Sequence, residues 1–464
     1  MTNFSVTNLP TYQPTNPQFT NLPIYQSPIS NLQSPISNPQ FTNLPIYQSP
    51  ISNLQSPIPN MHILLIHQAF AALDEPGGTR HHELARFMAD RGHRVTIIAS
   101  PVSYLTGDTS TPSYPSPDRG GNKDGVIILR AYTYSALHRS FVHRVFSFLS
   151  FMVTSFVTGL RVKDVDLIWG TSPPIFQGAT AWLLARLKRV PFLFEVRDLW
   201  PAFAIAVGVL QNRILIRASE WLERFLYRNA DALVVNSPGF IEHVEARGVR
   251  QVELVPNGAD TAMFHPENDG ADFRRAHGLE GKFVALYAGA HGMSNDLGVV
   301  LDAAVQLRDQ PEIAIVLLGD GKEKPALVER AAEMNLTNVY FIPPVPKTEM
   351  TQALAAADAC IAILKPIEMY KTVYPNKVFD YMAAGRPVIL AIGGVIQDVV
   401  ESAQGGIPVP PGDAESLAAA IRTLAGDRQS GRILGQNGRR YVEEHFDRIA
   451  LAEKLLAVML GVRD

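Results

Sequence analysis

Short apolar runs alternate with amphipathic stretches from residue 62 onward. The run HILLIH at 62–67 predicts a buried strand, and residues 80–91 carry apolar side chains at the 3.6-residue period of a helix. Five further apolar runs predict strands at 95–99, 126–129, 166–169, 191–196 and 232–235. Strands that alternate with helices in this way predict a parallel α/β sheet.

The same pattern begins again after a polar link between Pro256 and about Gly281. Apolar runs there predict strands at 283–288, 314–318, 339–342, 359–364 and 388–392, with a helix at 297–307. We therefore expect two doubly wound, Rossmann-like α/β domains that face a cleft, with ligands at the carboxyl ends of the strands. The expected bounds are 61–258 and 259–435, followed by helical residues 436–464 that cross back to the first domain.

Residues 1–60 differ in composition from the rest of the chain. They contain no Asp, Glu, Lys or Arg, hold 11 of the 34 prolines, and repeat a block that starts at Phe19 and again at Phe41. Frequent proline blocks helices and central strands, so we expect a disordered, low-complexity tail. Our hypothesis is that the working protein begins at Met61, directly before the first predicted strand.

Net charge and cysteine content narrow the class of protein. A net charge of −3 provides no overall basic field, so a nucleic-acid partner is not expected. The single Cys360 excludes an intramolecular disulfide and is typical of a reducing compartment, so we expect a cytoplasmic location. The triplet Asp164-Val165-Asp166 directly precedes a predicted strand, where a solvated turn is a better interpretation than a metal site.

The best candidate for a binding site lies at 374–394, which reads YPNKVFDYMAAGRPVILAIGG. Pro375 is expected in the first turn of a short helix that precedes a buried strand. A helix N-terminus with Lys377 favours a phosphorylated ligand, because backbone N–H groups, the helix dipole and a positive charge all attract phosphate. Asp380, one turn further on, could accept hydrogen bonds from ribose hydroxyls. An ordinarily capped surface helix is the alternative.

Glycine-containing loops follow three of the predicted strands. Gly77 and Gly78 come after the first strand, Gly289 opens a loop that contains His291, and Gly319 follows a third strand. Tight turns between strands and helices need glycine for steric reasons alone. Three such loops on one cleft are a more specific indication of a ligand site than any one of them.

Several runs together resemble the family 4 glycosyltransferases, which have the two-domain GT-B architecture. They are PGGTRHHELARFMADRGHRVTII, EVRDLWP, VVNSPGF, LVPNGADTAMFHP, LYAGAHG, LLGDGKEKPAL and the 374–394 segment. EVRDLWP and PNKVFDYMAAG are most similar to the branch that contains colanic-acid and N-acetylfucosamine transferases of bacterial surface polysaccharide assembly.

The resemblance implies a retaining transfer of a hexosyl or N-acetylhexosaminyl group from a nucleotide diphosphate sugar to a hydroxyl of a saccharide acceptor. We expect this acceptor to be lipid-linked. The first domain would bind the acceptor and the second would bind the nucleotide sugar. In this family backbone amides and basic side chains hold the diphosphate, so neither a metal nor a cofactor is expected.

The resemblance also implies roles for individual residues. Arg197 and Asp198 would be catalytic, and the donor would be bound by Gly77, Gly78, Gly289, His291, Gly319, Asn376, Lys377 and Asp380. Arg197 departs from the family, because many members carry His there, and an arginine cannot act as a base at working pH. It could still hold an oxygen of the diphosphate or of the donor sugar. Thr372 is a second departure, since many members carry Glu at that position.

Residues 137–161 form a further candidate surface. They contain no charge between positions 145 and 160, a length too short to span a bilayer. One expectation is a helix at the membrane interface, with the enzyme peripheral on the inner face of the plasma membrane. The lipid-facing side chains would then be Phe146, Phe148, Phe151 and Phe156. A buried helix of the first domain, or a surface for a partner protein, is the other expectation.

Two other functions remain open from the sequence. A sugar-nucleotide 2-epimerase would share the architecture and would convert the donor without an acceptor. A non-catalytic subunit would bind the nucleotide sugar without turning it over, and the departures at Arg197 and Thr372 motivate this alternative.

Overall fold

Seven short strands of the first half form one parallel sheet in the computed structural model, which describes residues 60–103, 126–135 and 141–463. The predicted tail therefore lies outside the described residues, apart from Asn60. The strands are β1 His62–Ile66, β2 Arg94–Ala99, β3 Val126–Arg130, β4 Leu167–Ser172, β5 Phe192–Val196, β6 Ala232–Val235 and β7 Glu253–Leu254. Their order is β3-β2-β1-β4-β5-β6-β7, so the winding direction reverses between β1 and β4.

Six strands of the second half form another parallel sheet, in the order β10-β9-β8-β11-β12-β13. They are β8 Phe283–Ala288, β9 Ile313–Leu318, β10 Val339–Ile342, β11 Ala359–Ile363, β12 Val388–Ala391 and β13 Gly406–Pro408. Here the direction reverses between β8 and β11. Strands that are buried on both faces and joined by helices explain the parallel arrangement. The expectation of two doubly wound α/β domains is confirmed.

Helices cover both faces of each sheet. The first half contains α1 Arg80–Asp90, α2 Phe141–Arg161, α3 Phe176–Lys188, α4 Ala202–Ala206, α5 Arg213–Asn229 and α6 Ile241–Glu245. The second half contains α7 Ala271–Ala276, α8 Leu297–Val305, α9 Lys324–Glu333, α10 Lys347–Ala355, α11 Asn376–Ala383, α12 Val395–Ser402 and α13 Ala414–Gly426. The chain ends with α14 Arg428–His445 and α15 Arg448–Arg463.

The last helix returns to the first half of the molecule. Leu451, Leu455 and Met459 of α15 are buried in one core with Ile63 and Leu65 of β1. The preceding α14 contributes Val442 to a core of the second half. The crossing therefore lies between α14 and α15, about ten residues after the expected boundary at 435/436, because the helix that begins at Arg428 continues through that point.

Helix α2 agrees only in part with the set of side chains expected to face lipid in residues 137–161. It is described from Phe141, and residues 136–140 lie outside the described part of the chain. Phe146 is exposed as expected, but Phe151 is fully buried against the first sheet, and Phe148 and Phe156 are only partly exposed. The helical period turns Phe151 toward the sheet and leaves a different set of apolar side chains outward.

Candidate functional site

Arg197 lies at the carboxyl end of β5 and is held by two neutral acceptors. Its Nε donates to Thr171 Oγ1 at 2.8 Å, and one terminal nitrogen lies 2.8 Å from His67 Nε2. A guanidinium can only donate, so His67 Nε2 must accept and the ring proton must sit on Nδ1. Burial lowers the pKa of His67 well below its ordinary value, which keeps this imidazole neutral.

The buried carboxylate of Glu195 binds the side chains that lie behind His67. Glu195 Oε1 accepts from Arg80 Nε at 3.2 Å and from the Arg80 terminal nitrogen at 3.0 Å, while Glu195 Oε2 accepts from His81 Nε2 at 2.7 Å. Burial opposes the charge on Glu195, but His81 and Arg80 hold the pKa of Glu195 well below its ordinary value. The His81 ring lies 4.4 Å from the His67 ring, and burial lowers the pKa of His81 to about 4. Glu195 and His81 therefore form a fixed layer behind His67, which in turn contacts Arg197.

Arg197 and Asp198 line a cavity of about 540 Å³ between the two halves. Its wall is largely aromatic and aliphatic on the first-half side, with Trp200 and Phe203, whereas Tyr370 faces it from the second half. Burial raises the pKa of Asp198 to about 7, so its carboxylate is only partly ionised near neutral pH. The cavity combines an apolar wall with a guanidinium and a readily protonated carboxyl group.

A second cavity of about 220 Å³ lies against the carboxyl ends of the second-half strands. Seven of the eight expected donor-binding residues line it, namely Gly77, Gly78, Gly289, Gly319, Asn376, Lys377 and Asp380. Two of these glycines meet backbone to backbone, since a Cβ on Gly319 would lie 1.9 Å from the Gly289 carbonyl oxygen. Gly78 and Asn376 line both cavities, which therefore adjoin.

Lys377 supplies a cation inside the smaller cavity. Its Nζ is buried, has no hydrogen-bond partner among the described residues, and lies 3.9 Å from the ring centroid of Tyr287. A Cβ at Gly289 would come within 2.7 Å of this nitrogen. Burial lowers the pKa of Lys377 to about 7. An anion in the cavity would provide the missing partner at the N-terminus of α11.

Asp380 is paired with a residue that the sequence analysis did not select. Its Oδ2 accepts from Lys347 Nζ at 2.6 Å and from Asn376 Nδ2 at 3.2 Å, and its Oδ1 is buried without a partner in the described structure. Lys347 is the first residue of α10, directly after the loop that follows β10, and it also lines the cavity. The rule that ligands sit at the carboxyl ends of strands could have pointed to it, because its own run, PPVPK, follows a predicted strand.

Two residues of the sequence-based set lie away from the cavities. His291 is fully buried beneath the loop of Gly319 and Gly321, and it lines neither cavity. Thr372 Oγ1 donates to Met369 O at 2.7 Å, and its carbonyl accepts from Ser237 Oγ at 2.6 Å. Thr372 thus joins the two halves beside the larger cavity without lining it.

Metal ligands are not clustered in the part of the chain that the structure describes: no three His, Cys, Asp or Glu side chains there could hold one ion. Asp166 Oδ2 accepts from the backbone N–H of His62 at 2.8 Å. This bond lies at the amino ends of β1 and β4, opposite the two cavities.

Comparison with known families gives matches in both halves. The family described as glycosyl transferase 4-like domain matches residues 77–258, and the family described as glycosyl transferases group 1 matches residues 282–427. Together the two matches cover most of the chain. The chain belongs to the glycosyltransferases. The resemblance to family 4 with a GT-B fold is confirmed, and the protein is an enzyme that transfers a glycosyl group.

Individual glycosyltransferases are similar over much of their length. A protein of Escherichia coli K12 assigned to colanic acid biosynthesis, glycosyl transferase WcaI, is 24% identical over 353 residues, which is 73% of this chain and 86% of WcaI. Sulfoquinovosyl transferase SQD2 of Arabidopsis thaliana is 27% identical over 294 residues, 61% of this chain and 54% of SQD2.

Solved structures show the same fold. Sucrose-phosphate synthase from Thermosynechococcus elongatus has a TM-score of 0.68 at 22% identity, covering 87% of this chain and 99% of that one. Anabaena HepE in complex with UDP-glucose has a TM-score of 0.65 at 17% identity, covering 87% of this chain and 100% of HepE.

Proposed function

We propose that this glycosyltransferase moves a sugar, with retention of anomeric configuration, from a nucleotide diphosphate sugar to a hydroxyl of a saccharide acceptor in surface polysaccharide assembly. The observation that carries the proposal is Lys377. A buried, unpaired ammonium at a helix N-terminus costs free energy unless an anion neutralises it, and a diphosphate is an anion of suitable charge and size. HepE, which shares the fold, is described in complex with UDP and with UDP-glucose.

The donor would occupy the smaller cavity. Its diphosphate would lie between Lys377 and the backbone of Gly77, Gly78 and Gly289, and the unpaired Oδ1 of Asp380 would accept from a ribose hydroxyl. The apolar side chains after β10, including Pro344 and Val345, leave space for the base. No metal or cofactor is needed in this arrangement, because fixed positive charge takes over the neutralisation.

The sugar and the acceptor would meet where the two cavities adjoin. Departure of the nucleotide leaves negative charge on the diphosphate and an oxocarbenium-like sugar, and Arg197 with Lys377 stabilises that charge from opposite sides of the cleft. Attack from the same face gives retention and requires no protein nucleophile. Asp198, when ionised, accepts a hydrogen bond from the attacking hydroxyl.

The acceptor would be a lipid-linked saccharide, and the enzyme would work at the inner face of the plasma membrane. The larger cavity has an aromatic and aliphatic wall that suits such a molecule. Among the described residues no helix is long and apolar enough to cross a membrane. A peripheral contact through the segment 137–161 would bring the enzyme to this membrane.

A transfer assay tests the proposal. The full-length protein would be incubated with UDP-, GDP-, dTDP- and ADP-sugars, each with and without prenyl-diphosphate-linked saccharides, and NMR would report the anomeric configuration of the product. The proposal predicts acceptor-dependent transfer with retention. Inversion, or an epimerised donor without acceptor, would reject it, and donor binding without turnover would favour a non-catalytic subunit.

A further inference from the structure

Exposed apolar side chains are concentrated on one face of the first half. Among the described residues sixteen large hydrophobic side chains are exposed, and ten of them lie on α2, α3 and α5. These helices are neighbours, because Phe151, Leu184 and Leu226 enter the same core against the first sheet. Their remaining sides therefore form one outer face, which we call the α2–α3–α5 face.

Helix α2 contributes a continuous stripe to this face. The exposed residues are Phe146, Leu149, Val153, Val157 and Leu160, whose spacing of three or four residues places them on one side of the helix. Leu183 and Leu187 extend the apolar surface on α3. Single exposed hydrophobic residues are ordinary, but a contiguous set of this size marks an interaction site.

The same face is strongly basic in a chain whose net charge is −3. Exposed arginines lie at both ends of the apolar stripe, on α3 and along α5, at positions Arg144, Arg161, Arg186, Arg213, Arg217 and Arg224. Helices α2 and α3 contain no acidic residue. On α5, Glu223 is fully buried and Glu220 is paired with Arg224 at 3.2 Å. Positive charge on this face is therefore almost unopposed.

Helix α5 adds an interfacial anchor. Ile214 is 77% exposed and Trp221 is 63% exposed, and both share the outer side of the helix with Arg217. Tryptophan prefers the boundary between lipid headgroups and acyl chains, and arginine binds the phosphates of those headgroups. A combination of apolar stripe, tryptophan and arginines fits an anionic lipid surface better than it fits the same face of a second copy, because two basic faces would repel each other.

We propose that the α2–α3–α5 face docks on anionic phospholipid, with Phe146, Val153 and Trp221 inserted at the interface and the arginines on the headgroups. The proposal rests on the proposed function only for its purpose, which is to bring the larger cavity to a lipid-linked acceptor. It extends the expected membrane contact from residues 137–161 to two further helices.

The test is flotation of the full-length protein with vesicles of phosphatidylcholine alone and of phosphatidylcholine mixed with phosphatidylglycerol. The wild type should float with the mixed vesicles and much less with the neutral ones. The double variant R213E/R217E should lower partitioning roughly 30-fold or more, because each basic residue near an anionic surface contributes about fivefold. The matched control R432E/I433D alters an exposed pair on α14 in the second half and should float like the wild type.

Three results would overturn the proposal: no flotation of the wild type, equal flotation with both vesicles, or a solution dimer that R213E/R217E dissociates. Calorimetric binding of UDP to the same variants separates this proposal from the proposed function. Lost flotation with unchanged UDP affinity supports the docking face, whereas flotation without any nucleotide binding would leave the docking face standing and contradict the donor assignment.

Discussion

Lys377→Met is the substitution that tests the donor site most sharply. Methionine fills nearly the same volume and removes the ammonium group that lies over Tyr287. We expect UDP affinity at neutral pH to fall by about 1.5–3 kcal/mol, the usual worth of a charge-assisted hydrogen bond, which is roughly a 10- to 150-fold increase in Kd. Lys371→Met is the matched control, because Lys371 is an exposed lysine of the preceding turn and lines neither cavity.

The pH dependence gives a second, independent magnitude. Burial lowers the pKa of Lys377 from 10.5 to about 7 in the free protein, and a bound diphosphate would raise it again. Donor binding above pH 7 must then take up a proton. At pH 9 only about 1% of the free protein carries the charge, so UDP affinity should fall roughly 50-fold between pH 7 and pH 9, about 2 kcal/mol.

The stability of the ligand-free protein should change with pH in the opposite direction to the UDP affinity. Since the pKa of Lys377 is lower in the folded than in the unfolded protein, the destabilisation is complete below pH 7 and disappears as pH rises toward 10.5. Lys377→Met should therefore stabilise the ligand-free protein at neutral pH by roughly 2–4 kcal/mol. The gain should shrink at alkaline pH.

Isothermal titration calorimetry of UDP between pH 6.5 and pH 9, in buffers of different ionisation enthalpy, measures both affinity and proton uptake. A wild-type affinity that is independent of pH, or the same pH slope in Lys377→Met, would show that the charge of Lys377 does not bind the donor. Lower stability of Lys377→Met at neutral pH would show that the ammonium group is already neutralised in the free protein.

Four further predictions concern Arg197, the residues His67 and Glu195 behind it, and the carboxylate of Asp380. Arg197→Lys should lower kcat by about 10- to 100-fold with a smaller change in donor affinity, because a lysine cannot reproduce the guanidinium geometry; an equal loss in both would make Arg197 a plain binding residue. His67→Phe should lower kcat about tenfold and His67→Gln should restore part of it, since a glutamine oxygen can accept from Arg197; equal kcat in both variants would contradict a positioning role. Glu195→Gln should lower the free energy of unfolding by about 3 kcal/mol, because a buried cation loses its partner, and chemical denaturation would measure this. Asp380→Asn should weaken UDP binding by about 1.5 kcal/mol relative to pyrophosphate binding, because only UDP has the ribose hydroxyl, and calorimetry with both ligands measures this difference.

The fold could be predicted from the sequence because nearly every strand is a buried apolar run. The strands that were not predicted, β7 Glu253–Leu254 and β13 Gly406–Pro408, are two and three residues long and lie at sheet edges. Strands this short contain too few residues to show a hydrophobic period. Helix α11 begins at Asn376 rather than at the expected Pro375, which occupies the cap with an extended backbone.

Site residues could be predicted from the sequence only where the motif that marks them is local. Glycine loops and a lysine at a helix start are visible within a few residues of sequence, and the structure brings most of them into one cavity. The pairs Lys347–Asp380 and His67–Arg197 join residues 33 and 130 positions apart, and a single sequence does not show contacts at that range. The side of α2 that faces the sheet could not be predicted for a related reason. Apolar residues occupy both sides of this helix, and only packing selects Phe151 as the buried one.

The donor site is proposed to bind a nucleotide diphosphate sugar in the smaller cavity without a metal. The most direct measurement is calorimetry of the wild-type protein against UDP-, GDP-, dTDP- and ADP-sugars, first with a chelator and then with magnesium. We expect at least one of them to bind with the same affinity in both conditions, and Lys377→Met to weaken that binding. Binding that requires magnesium, or no binding of any of the four, would contradict a metal-independent donor site in this cavity.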